Sequence, residues 1–124
     1  MIFGVGTDLI ETERVKKACE REGFLLRIFS EAERELIEKQ PQRAAGNFAV
    51  KEAVVKAFGT GFGKIAPIDV EVLREQSGRP YVVLHGEAEK FREANRITGI
   101  HVSISNTTEY ATAYVVLEAK QGEN

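Results

Sequence analysis

The stretch FAVKEAVVKAFGTGFGK, residues 48–64, is apolar on almost every side of a helix, yet it carries Lys51, Glu52 and Lys56 and then runs into glycines at 59, 61 and 63. Upstream, Ala44 and Ala45 continue the apolar run, so a helix is predicted from about Gln42 to Phe58. A helix with so little polar face belongs in the core, and Gly59 is its expected stop. At about 100° per residue, Glu52 and Lys56 lie about 40° apart and Lys51 about 100° from Glu52, so the three charges are read as one polar strip. On an exposed helix a Glu-to-Lys pair at i,i+4 contributes only about 0.2–0.5 kcal/mol. Partly buried, the same charges cost several kcal/mol to desolvate. That cost asks for a further partner, and a cation with phosphates would supply one.

Around this helix the pattern predicts an α+β domain with a largely antiparallel sheet and packed helices. Ile2–Thr7 reads as a strand with a strand-to-helix junction at Asp8, followed by a helix from near Glu11 that fades near Gly23. Ser30 followed by Glu33 has capping-box spacing, which starts a second helix that stops before Pro41. IDVEVLR and PYVVLH form one hairpin about EQSGR, a helix spans about Glu87–Arg96, and IHVSIS and YATAYVVLE form a second hairpin about NTTE. Disorder is expected only in the last residues, KQGEN.

Composition narrows the function classes. A chain of 124 residues, 43% hydrophobic and 29% charged, suits a single globular domain, 1–124, with one core. The single cysteine, Cys19, allows no internal disulfide and no thiolate zinc site, and fits the reducing cytoplasm. No signal peptide or membrane span is expected, and a net charge of −2 argues against general nucleic-acid binding.

In the first strand Ile2, Gly4, Gly6 and Asp8 alternate onto one face, two glycines and then a carboxylate. Magnesium takes oxygen ligands and is typically held by one or two carboxylates plus substrate phosphates. Asp8 and Glu52 are its natural candidates, although no spacing rule brings them together. GVGTDL is not a dinucleotide fingerprint and FGTGFGKI is not a P-loop, because required glycines and the Ser or Thr are missing. The glycines at 59, 61 and 63 with Lys64 can be a backbone cradle for phosphate or simply a helix stop and loop. Arg14, Lys17 and Arg21, at i, i+3 and i+7, share a helix face that is either solvated or docks an acidic partner. His85 and His101 are read as structural, and Ser103 and Ser105 have no base at hand.

GVGTDLIETERV at 4–15, FAVKEAVVKAFGTG at 48–61, SGRPYV at 77–82 and HVSISNTTEYATAYVVLE at 101–118 together resemble the holo-acyl-carrier-protein synthases. These are the short-chain branch of the phosphopantetheinyl transferases, and the resemblance runs in order across essentially the whole chain. It implies transfer of the phosphopantetheine arm of coenzyme A to a serine of apo acyl carrier protein, with release of adenosine 3',5'-bisphosphate. It also implies magnesium and a homotrimer with active sites between subunits. By motif, Asp8 and Glu52 become the metal pair and Lys56 the cation at the phosphate being cleaved. Gly59, Gly61, Gly63, Lys64 and Asn106 fall in the coenzyme A region, and Arg14 falls at the carrier-protein grip, a face that Lys17 and Arg21 extend by helix geometry. Asn47 and Asn106 stand where many members have Arg and His. Glu33, a metal-bound water and a group from the adjacent subunit are the open choices for the serine's base. Two alternatives lie outside this family: another metal-dependent enzyme that cleaves pyrophosphates, and a noncatalytic coenzyme A-binding module.

Overall fold

A computed structural model describes residues 1–121, so the end of the KQGEN tail, residues 122–124, lies outside the described residues. The order is β1 (Ile2–Glu11), α1 (Thr12–Cys19), α2 (Glu22–Ile28), α3 (Glu31–Lys39), α4 (Arg43–Phe58), a 3-10 turn (Pro67–Asp69), β2 (Val70–Arg74), β3 (Pro80–Leu84), α5 (Gly86–Ala94), β4 (Ile97–Asn106) and β5 (Tyr110–Ala119). An antiparallel sheet in the order β1-β5-β4 carries α4 on one face, and β2 and β3 form a separate antiparallel hairpin. The α+β architecture expected from the pattern is therefore the observed one.

Two glycines set how closely helix and sheet approach. A Cβ on Gly4 would stand 2.0 Å from the carbonyl oxygen of Ala57, and one on Gly6 1.8 Å from that of Ala53. No other residue fits, so α4 lies backbone to backbone on β1, with alanines as its contact surface. Its buried residues run from Ala44 to Phe58, and the positions left open after Arg43 are Phe48, Glu52 and Lys56. Spaced by four, they form one narrow stripe.

Lys51 does not belong to that stripe, contrary to the expectation of a single polar strip. The 100° that separates it from Glu52 turns it off the stripe to the side that faces α3, where its side chain is fully buried. There Nζ donates to Glu33 Oε1 at 2.8 Å and to the carbonyls of Pro67 and Val70 at 2.9 and 2.6 Å. Glu33 is the N3 residue of a capping box with Ser30, as its spacing predicts, and its Oε2 accepts from Nδ2 of Asn47 at 3.0 Å. The second Nδ2 hydrogen of Asn47 goes to the carbonyl of Val72 at 2.9 Å. This buried cluster ties α3, α4 and β2 together.

Other boundaries moved. β1 continues to Glu11, so Asp8 lies inside a strand and the junction with α1 comes three residues later. A register shift between Ile2 and Gly4 turns Phe3 inward, against Phe91 at 6.0 Å between ring centroids, and leaves Ile2 exposed. The first helix ends at Cys19, and a separate short helix, α2, follows from Glu22 through Gly23, which sequence pattern takes as a stop.

Candidate active site

The close approach of α4 to β1 brings together the two carboxylates that spacing alone could not. Asp8 and Glu52 are near enough that the charge of Asp8, after the larger effect of burial, raises the Glu52 carboxyl above its ordinary range, with Lys56 opposing. Lys56 pairs with Asp8, not with Glu52 one turn before it: Nζ donates to Asp8 Oδ1 at 3.0 Å and to the Thr7 carbonyl at 3.1 Å. The second carboxylate oxygen, Oδ2 of Asp8, is buried without a hydrogen-bond partner. The site thus holds two acidic groups, one lone oxygen and one cation, on the open stripe of α4.

That donor set fits a hard divalent cation. An orphaned carboxylate oxygen facing a carboxyl of raised pKa is relieved by a cation, and two carboxylates leave coordination positions for water and phosphate. No cluster of three or more metal-ligating side chains occurs among the described residues.

The glycine segment starts where α4 ends, one turn beyond Lys56, but it is not an open cradle of N–H groups. Gly59, in the left-handed region at φ 83°, closes the helix. The N–H groups of Gly59, Thr60 and Gly61 all turn back to the carbonyl of Val55, at 3.1, 3.2 and 3.2 Å. Gly63 faces open space and Lys64 is exposed beside Glu87 at 3.6 Å. Asn106 closes β4 at the far edge of the sheet from β1, so within one chain it does not meet Asp8. Glu33, with three donors and no exposure, is unavailable as a base. His85 and His101 pair with Glu71 and Glu118.

Arg14, Lys17 and Arg21 line one groove of about 780 Å³ beside the site, with Leu9, Phe24, Phe48 and Tyr110 supplying its apolar part. Arg21 does so as the N-cap of α2, after α1 has ended. The apolar members are what sequence reasoning missed. Phe48 opens the exposed stripe that continues to Glu52 and Lys56, and a period of four inside an otherwise buried helix was the available signal.

Comparison with known proteins agrees with this geometry. Residues 4–115 match the model of the 4'-phosphopantetheinyl transferase superfamily. A holo-[acyl-carrier-protein] synthase of Lachnoclostridium phytofermentans is 56% identical over 118 residues, covering 95% of this chain and 97% of the relative. The crystal structure of a holo-(acyl-carrier-protein) synthase from Bacillus anthracis in complex with CoA (3',5'-ADP) superposes with TM-score 0.80 at 36% identity, over 97% of this chain and 99% of that one. The Helicobacter pylori holo-[acyl-carrier-protein] synthase in complex with coenzyme A gives TM-score 0.82 at 28% identity, over 92% and 99%.

Proposed function

The chain belongs to the 4'-phosphopantetheinyl transferase superfamily, and from that premise we propose that Asp8, Glu52 and Lys56 form the centre at which it transfers 4'-phosphopantetheine from coenzyme A to a serine of apo acyl carrier protein. The products are holo-acyl carrier protein and adenosine 3',5'-bisphosphate. The observation that carries the assignment is the meeting of Asp8, Glu52 and Lys56 across a contact that only Gly4 and Gly6 permit.

Asp8 and Glu52 would hold magnesium, whose chemistry when bound is to neutralise charge on the pyrophosphate. The chain's own groups do the positioning. Lys56, tethered by Asp8 and the Thr7 carbonyl, keeps a half-exposed ammonium beside the phosphate being cleaved. It can stabilise the departing bisphosphate or give it a proton. The carrier serine attacks the phosphorus next to pantetheine, and in such transfers alignment and electrostatics supply most of the acceleration. The serine's proton goes to water or to a group of an adjacent subunit, since Glu33 is spent in the core.

The groove of Arg14, Lys17 and Arg21 offers cations around an apolar floor, which suits an acidic helical partner such as a carrier protein. The loop from Gly59 to Lys64, at the end of the same helix, borders the coenzyme A region by its open surface. Self-association, as a trimer with sites between subunits, is supported by the outward sheet face, where Val5, Leu9 and Tyr114 are 61%, 66% and 58% exposed. A second subunit would also give Asn106 a route to a neighbour's site. The chain works as one domain, in the cytoplasm.

Intact mass spectrometry of apo acyl carrier protein with this protein, coenzyme A and magnesium tests the reading. A gain of one phosphopantetheine, lost with EDTA and in Asp8→Ala and Glu52→Ala variants that keep the fold, is the expected result. Hydrolysis of coenzyme A without any acceptor would point to a pyrophosphate hydrolase instead, and binding without product to a noncatalytic module.

A further inference from the structure

Glu11 stands exposed at the corner where β1 ends and α1 begins. It occupies the N-cap position of α1 but makes no side-chain hydrogen bond to the helix, in a place where Ser, Thr, Asp or Asn is preferred. The helix dipole is already served by Glu13 in the first turn. Arg14 follows three residues later, yet among the described residues Glu11 forms no ion pair with Arg14, Lys17, Arg21 or any other cation. The corner itself is fixed: Glu11 is in register with Tyr110, and the Thr12 N–H donates to the Glu109 carbonyl at 2.8 Å.

This idle carboxylate lines the same groove as Arg14, Lys17 and Arg21. It lies at the end nearest the carboxylate pair, because Leu9 and Ile10, the residues that follow Asp8, line that groove too. At about 3.3 Å per strand residue, its Cα is about 10 Å from that of Asp8. A carboxylate there works against a uniformly acidic partner. Once a partner covers the groove and water leaves, the unpaired charge also bears a desolvation penalty. A partner that sets a cation against Glu11 reverses both effects. One residue thus separates partners that three cations alone would accept alike.

We propose that Glu11 is a specificity-determining residue for the protein substrate. It selects an acidic helical partner that carries a lysine or arginine at the end seated next to Asp8, and so beside the acceptor serine. The identity of that partner as an acyl carrier protein rests on the transferase reading above; the unpaired carboxylate in a cationic groove does not.

The test uses the full chain with apo acyl carrier protein. Affinity is read by calorimetry without coenzyme A, and the KM for the carrier by product mass with coenzyme A and magnesium. Wild type, Glu11→Gln and Glu11→Lys are compared, with thermal melts confirming the fold. Gln keeps the size and polarity of the side chain and removes only its charge. Glu11→Gln should bind the carrier about 5- to 20-fold more weakly, between the worth of an exposed ion pair and that of a buried charged contact. Glu11→Lys should bind it more weakly still, although it adds positive charge to the groove. Each lysine and arginine of the carrier is then changed singly to Glu, and one of these carriers should bind Glu11→Lys better than it binds wild type. Tighter or unchanged binding by Glu11→Gln and Glu11→Lys, or rescue by none of the altered carriers, overturns the proposal while continued transfer leaves the transferase reading standing. Glu11-dependent binding of the carrier without any product upholds the proposal and counts against that reading. A carrier that wild type neither binds nor modifies overturns both.

Discussion

Replacing Lys51 by Met should be the most damaging single change away from the active centre. The side chain is fully buried and its Nζ spends three hydrogens on Glu33, Pro67 and Val70. Three acceptors at 2.6–2.9 Å require an ammonium. Burial lowers the Lys51 pKa and the charge of Glu33 opposes that effect. Met fills much the same volume, so packing changes little and the loss is electrostatic. Glu33 remains as a buried carboxylate with one partner fewer, and two carbonyls lose their donor. Breaking a buried pair from one side costs about 3–5 kcal/mol, a large share of the about 5–15 kcal/mol that holds a domain together. With an unfolding entropy of about 2.1 cal/mol/K per residue, 124 residues give about 0.26 kcal/mol/K, so Tm should fall by about 12–19 °C. The chain has no tryptophan, so urea denaturation followed by far-UV circular dichroism is the assay. Adding Glu33→Gln removes the stranded charge, and the double variant should recover part of the loss. A loss below about 1 kcal/mol for Lys51→Met, or single effects that simply add in the double variant, would refute the reasoning.

Three further outcomes follow from the same geometry. Gly6→Ala places a Cβ 1.8 Å from the Ala53 carbonyl oxygen. It should cost at least about 1–3 kcal/mol by overpacking and lower transfer activity by lifting Glu52 off Asp8, read by thermal melt and by product mass. Arg14→Glu reverses a charge in the basic groove; the KM for carrier protein should rise about tenfold or more while that for coenzyme A stays within about twofold. Glu52 has its carboxyl raised above the usual value of 4.5 by burial and then by Asp8. The folded state therefore holds that proton more tightly than the unfolded chain, and its contribution to stability is lost as pH climbs through the raised value. Metal-free melts should show wild type losing Tm over that window relative to Glu52→Gln, and parallel curves would contradict the assignment.

The fold was legible in the sequence wherever one residue type does one job. Ser30 and Glu33 announced the start of α3, and the glycine at 59 announced the end of α4. The two hairpins followed from alternation and turn residues. The failures have a common cause in tertiary contacts. Gly23 sits inside α2 because packing of Phe24, Leu25 and Ile28 against the smaller core cluster outweighs its poor propensity. The shift after Ile2 was hidden because a bulge leaves no mark in a short apolar run such as Ile2–Gly6. The candidate site was half visible: its members could be named, but the contact between residues 8 and 52 depends on glycines whose purpose appears only when a helix backbone is laid against them.

The three charges of α4 show why periodicity alone could not sort them. Lys51, Glu52 and Lys56 fall within six residues, and a helical wheel places the first about 100° from the second. Whether such an angle means the rim of one polar face or the opposite side of the helix depends on what packs there. Here α3, the 3-10 turn and the start of β2 bring a carboxylate and two carbonyls to Lys51, whereas the strand edge at Thr7 and Asp8 meets Lys56. The buried lysine fixes the helix to its support, and the exposed one stands against Asp8 at the proposed site. The same helix can hold Glu52 in place because its other side is anchored by a charge pair rather than by apolar packing alone. Anchoring and catalysis are thus separable by mutation: Lys51→Met should reduce stability first and activity only through the tilt of α4, while Lys56→Ala, half-exposed and free of the core, should reduce activity with little change in Tm.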